Sequence, residues 1–140
     1  TLEFFRLARS KLKENGVLIA NYYGSLAPES RAAIYSAFRT MRAVFPQVYV
    51  IATVGPESEA LQNFIFIGHN APHPATRTDL RQAAALECAT PTLKNVAALE
   101  LRPAEALLDA HPLLTDDFAP VEYYALNAIR RYDAVSGRAR

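Results

Sequence analysis

Val17-Leu18-Ile19-Ala20-Asn21-Tyr22-Tyr23-Gly24 is the stretch that decides the fold. Its first four residues are apolar without alternation, which predicts a strand covered on both faces, as inside a parallel sheet. The polar-aromatic cluster Asn21-Tyr22-Tyr23 then marks where the strand emerges. Upstream, Thr1 can cap a helix whose apolar positions Leu2, Phe5, Leu7, Ala8 and Leu12 recur at helical spacing, with Asn15-Gly16 as a left-handed stop. Downstream, Pro28 and Glu29 open a second helix carrying Ile34, Phe38, Met41 and Phe45 on one stripe, and Pro46 ends it.

Two further strands follow. Val48–Val54 is β-branched, Gly55-Pro56 turns it, and Leu61–Gly68 holds the second two-sided apolar run, Phe64-Ile65-Phe66-Ile67. The short connection is hairpin length and too short for a parallel crossover. Helix, strand, helix, strand, antiparallel strand predicts an α/β domain whose mixed sheet closes with an antiparallel hairpin, the last strand inserting beside its neighbours. Residues 70–114 are less regular: a loop from Asn70 to Thr76, a short helix over 79–89, and Pro91, Pro103 and Pro112 as punctuation. Pro120 enters a final helix with Val121, Tyr124, Ala125, Ala128 and Ile129 at helical spacing, and residues 136–140 form a tail, leaving one unit over 1–135.

Composition narrows the function classes. Among 140 residues, fifteen Lys and Arg against fourteen Asp and Glu give a net charge of +1, which offers no footprint for nucleic acid. The lone Cys88 builds no disulfide framework and fits a reducing compartment; in its Ala-rich surroundings it reads as a small buried thiol. No apolar run reaches the ~20 residues of a membrane span. His69, His73 and His111 lack companions at metal-ligand spacing and read as surface histidines, so no metal is expected. No P-loop or nucleophile motif is present. Three strands are few for two double-sided apolar runs. The Val17 strand therefore wants a neighbour on its free edge. The chain opens at Thr1 and not at Met, so the expectation is a preceding half that supplies that neighbour. The alternative is a homodimer joined through the edge.

Several strings resemble the polyamine aminopropyltransferases, in particular bacterial spermidine-synthase-like proteins. They are Thr1-Leu2-Glu3-Phe4-Phe5 leading to Leu12-Lys13-Glu14-Asn15-Gly16-Val17-Leu18, then Val44-Phe45-Pro46-Gln47-Val48-Tyr49, Leu61-Gln62-Asn63, and Leu114-Thr115-Asp116-Asp117-Phe118-Ala119-Pro120-Val121-Glu122. The last is the most specific, and together they span nearly the whole chain. The resemblance implies the C-terminal half of a Rossmann-like, methyltransferase-type three-layer sandwich. It implies transfer of an aminopropyl group from decarboxylated S-adenosylmethionine to a diamine such as putrescine, or, with S-adenosylmethionine itself, methyl transfer. The donor would be a co-substrate held mainly by the missing N-terminal half; this sequence has no Gly-x-Gly cluster to hold it. The implied setting is cytoplasmic, with some family members fused to a membrane region.

Candidate substrate-binding residues are Asn21, Tyr22, Tyr23, Asp116 and Asp117. The first three sit at a strand's carboxyl end, where open α/β sheets bind ligands, or else pack in the core with polar tips. Asn21 falls about where the family carries a substrate-facing glutamine. The family's turn tyrosine before the last strand has no counterpart in Pro56–Ala60. Asp116 and Asp117 either offer negative charge to an amine or cap the helix entered through Pro120. A scaffold or polyamine-binding module without catalysis is the reading outside the enzyme class.

Overall fold

The computed structural model describes residues 1–71 and 95–136, together with Thr78, Gln82 and Ala85. It is an α/β structure in the order α1 (Leu2–Lys11), β1 (Val17–Gly24), α2 (Ala32–Arg42), β2 (Gln47–Ala52), β3 (Gln62–His69), a 3-10 turn (Val96–Ala98), α3 (Glu105–Asp109) and α4 (Val121–Ser136). All of the expected helix over 79–89 except Gln82 and Ala85, with its Cys88, and also His73 and the tail beyond Ser136, lie outside the described residues.

Thr1 caps α1 as expected, its hydroxyl accepting from Phe4 N–H at 3.3 Å. Glu3 in the first turn and Arg9 and Lys11 in the last complement the helix dipole. The end of α1 differs from expectation. Gly16 is not left-handed, since Gly55 is the positive-φ glycine among the described residues. Helix α1 stops at an extended Leu12, and Gly16 serves the tight turn that follows, where a Cβ would meet Leu12 Cβ at 2.8 Å. Helix α2 begins at Ala32, not at Pro28, because residues 28–31 form a separate turn with Ser30 and Arg31 N–H groups both donating to Ala27 C=O.

The three strands lie in the order β1-β3-β2, and β3 runs antiparallel to both neighbours. The hairpin and the insertion of the last strand match the sequence reading. The expected mixed sheet does not: among the described residues every strand pairing is antiparallel, and β1 and β2 point the same way without touching. The described helices pack on one sheet face, against Leu18, Ala20, Tyr22, Val48, Val50, Ala52, Phe64 and Phe66. Phe5, Ile34, Phe38, Met41, Leu108 and Leu114 fill the space between. Each large side chain so buried contributes about 2–3 kcal/mol. The described residues thus make two layers, where three were expected.

The opposite, odd-numbered face corrects the reading of β1. Val17, Ile19 and Tyr23 are 46%, 65% and 62% exposed, so among the described residues this strand is covered on one face alone. Alternating burial replaces the two-sided cover that the apolar run suggested. Over β2 the cover is better: Ala52 N–H donates to Leu99 C=O and Leu101 N–H to Val50 C=O, so residues 99–101 run along that edge like a rudimentary fourth strand.

Candidate functional site

Antiparallel register brings the polar end of β1 against the start of β3. Tyr23 lies opposite Asn63, and Asn21 opposite Ile65. Asn21 Nδ2 donates to Asn63 Oδ1 at 3.2 Å, joining the two amides diagonally on the exposed odd face. Asn63 is fixed from behind, because Thr53 donates through both its N–H and its hydroxyl to Asn63 C=O, each at 3.1 Å. The result is a small cluster of Asn21, Tyr23 and Asn63. Its amide oxygens and phenol can accept hydrogen bonds from an amine. None of the three is a carboxylate or imidazole, so the cluster can orient a substrate but supplies no base at neutral pH.

Tyr22 is turned the other way by the strand's period of two. Its ring lies 4.6 Å from that of Phe66, and burial raises its hydroxyl pKa above the ordinary value. Of the expected trio, two residues face the open surface and one belongs to the core. Asp116 and Asp117 are exposed on a tight turn closed by reciprocal Thr115–Phe118 hydrogen bonds. Asp116 N–H donates to Glu3 Oε2 at 3.0 Å, tying that turn to α1. The side-chain cap in this turn is Thr115, whose hydroxyl accepts from Phe118 N–H. Among the described residues no hydrogen bond joins either aspartate to Asn21 or Tyr23.

Sequence reasoning did not single out Asn63 as a site residue, or Gln62. Gln62 is buried and clamps the β2–β3 turn: its Oε1 accepts from Val54 and Gly55 N–H, and its Nε2 donates to Gly55 and Ser58 C=O. Hollows lie elsewhere among the described residues. One of about 180 Å³ sits on the odd face among Val17, Tyr49, Ile51, Ile67, His69, Val96 and Glu100. Another of about 430 Å³ lies beside the end of α2, where Arg42 pairs with Glu105 at 2.9 Å and Arg102 pairs with Glu100. Both guanidinium groups are already partnered there, and the charges balance. Among the described residues no group of three or more His, Cys, Asp or Glu converges to hold a metal ion, and no helix is long and apolar enough to cross a membrane.

No family model, no curated protein and no solved structure matches this chain.

Proposed function

We propose that this chain is the amine-positioning part of an aminopropyltransferase-type transferase of the methyltransferase-like fold. The observation that supports it best is the strand order β1-β3-β2, with the last strand antiparallel between two strands that run the same way. This is the arrangement expected at the end of such a sheet, and Asn21 and Tyr23 lie in the C-terminal half of β1, on the side toward which ligands of open α/β folds bind. In this reading Asn21, Tyr23 and Asn63 hold a small diamine by hydrogen bonds. Decarboxylated S-adenosylmethionine is held by residues outside this chain, and the setting is cytoplasmic. The lack of a base in the cluster assigns deprotonation of the attacking amine to those other residues as well. The same lack favours, as a second reading, a polyamine-binding module with no chemistry of its own.

The test is a putrescine titration followed at the side-chain amides of Asn21 and Asn63 by NMR. The expected result is a saturable shift at both, lost in Asn21→Ala. Amides that stay still while putrescine saturates the sample would sink the proposal. So would shifts confined to the Asp116–Asp117 turn.

A further inference from the structure

Helices α1 and α2 pack side by side, and their four arginines are not treated alike. On α2, Arg42 pairs with Glu105 at 2.9 Å and Arg39 with Asp109 at 3.7 Å. On α1, Arg6 and Arg9 meet no carboxylate among the described residues. Glu3, one turn before Arg6, accepts from Asp116 N–H through Oε2. Arg6 and Arg9 line an open groove of about 390 Å³ whose other walls are Ser10, Ala43, Val44 and Asn70. That volume falls in the usual range for small-ligand sites, about 300–1,000 Å³. Arg9 is held in place there. Its Nε donates to Asn70 Oδ1 at 2.9 Å and its Nη1 to Val44 C=O at 2.6 Å. Asn70 is fixed in turn, its Nδ2 donating to Lys13 C=O. The bond to Val44 also meets the negative end of α2, which would otherwise repel an anion. Of the five guanidinium N–H groups of Arg9, three are left over. The Ser10 hydroxyl is spent on Leu7 C=O, so the unspent donors in the groove are chiefly guanidinium.

We propose that this groove binds the phosphate group of a small phosphorylated molecule, with Arg9 as the fixed fork and Arg6 closing on it from one helical turn away. Two positive charges without a counter-charge suit a dianion. A phosphate monoester carries about −1.5 to −2 near pH 7, and guanidinium forks match its oxygens. A carboxylate would bring a single charge. The place does not compete with the rest of the proposed fold. At about 100° per residue, the exposed Phe4 and Leu7 stand about 200° round α1 from Arg6 and Arg9. The further elements which that fold requires have this apolar flank and the edge of β1 to pack on, and neither is the groove between α1 and α2. The inference does not rest on the transferase reading.

The test titrates the isotope-labelled chain with inorganic phosphate near pH 7 at constant ionic strength, following the Arg6 and Arg9 Nε–H signals by NMR. Both should shift and saturate, and the melting temperature should rise with phosphate as mass action requires. Acetate, with its single charge, should bind about tenfold or more weakly than phosphate. Arg6→Gln removes a side chain that has no partner among the described residues. It should leave the circular dichroism and the phosphate-free melt unchanged while weakening phosphate binding about tenfold or more. Arg9→Lys keeps the charge but loses the fork, and should weaken binding as well; if that variant fails to fold, Arg6→Gln decides alone. Shifts that do not saturate, or acetate and chloride binding as well as phosphate, mean an adventitious ion only and overturn the proposal. A phosphate titration that Arg6→Gln leaves as it was overturns it too. None of these outcomes bears on the putrescine titration, so the two proposals fail separately.

Discussion

Thr40 and Leu114, seventy-four residues apart, share a buried hydrogen bond: Leu114 N–H donates to Thr40 Oγ1 at 2.8 Å. The same hydroxyl donates to Ser36 C=O at 2.6 Å, so the side chain locks the segment before α4 onto the last turns of α2. Thr40→Val keeps the shape and removes the acceptor, leaving Leu114 N–H without a partner inside the core. The expected loss is about 1–3 kcal/mol in urea unfolding, with faster hydrogen exchange at Leu114. A loss below about 0.5 kcal/mol would mean that this bond does not hold the segment.

Gln62 gives a sharper test because its two ends do different jobs. Gln62→Glu keeps the acceptor for Val54 and Gly55 N–H but turns an oxygen toward Gly55 and Ser58 C=O, where Nε2 donated. A carboxylate facing two carbonyls is disfavoured, so the new group should titrate above the usual carboxylate range near 4.3. A raised native pKa means stability that is present at low pH and lost as pH rises through that value. The variant should approach the parent near pH 4 and fall below it by more than about 2 kcal/mol at pH 7. Thermal melts across that range check it; a deficit independent of pH would show that the turn does not read the proton.

Much of the sheet was legible because β-branched and aromatic runs mark strands whatever covers them. The runs at Val17, Val48 and Phe64 all became strands, and a hairpin-length connection became a hairpin. Which face each strand buries was not legible for β1. An apolar run says that both faces avoid water; it does not say whether the cover belongs to the same chain. Gly16 was misread for a related reason: glycine permits a left-handed turn but also permits close approach, and only the second is used. Two of the three cluster residues, Asn21 and Tyr23, followed from the polar-aromatic stretch of β1. Asn63 did not, because its place beside Asn21 depends on β1–β3 register, which no local pattern specifies. Strand alternation separates Tyr22 from Tyr23, but choosing which of them faces the core required knowing where the helices pack.

Gly68 and Gly24 look alike in sequence and should respond differently to alanine. A Cβ at Gly68 would come within 2.9 Å of two ring carbons of Phe45. That ring is buried and packs edge-on against Phe5, with centroids 6.5 Å apart, so it cannot yield without moving a second aromatic. A Cβ at Gly24 meets Ile34, nearest at its terminal methyl. Gly68→Ala should cost about 1–3 kcal/mol. Gly24→Ala should cost less, as a rotatable side chain gives way. Paired urea titrations decide it, and equal losses would contradict the idea that Phe45 is wedged against β3.

Stability should also fall at alkaline pH, and Tyr22 should carry a distinct part of that fall. Burial against Phe66 raises its pKa above the ordinary 10.0, while the unfolded chain keeps the ordinary value. Between the two values the unfolded chain has released a proton that the folded chain still holds, so stability declines as pH rises. Tyr22's contribution is complete below pH 10 and is lost as pH climbs through the raised value. Tyr35 acts in the same direction: burial raises it foremost, the Arg31 charge opposes this, and Glu57 adds to it. Tyr22→Phe removes the ionisation but keeps the ring on Phe66. Its unfolding free energy should therefore fall less steeply than the parent's above pH 10, with Tyr35 left to account for a remaining slope. If the two slopes coincide, the Tyr22 hydroxyl reaches solvent as readily in the folded chain as in the unfolded one, and its assignment to the core face is wrong.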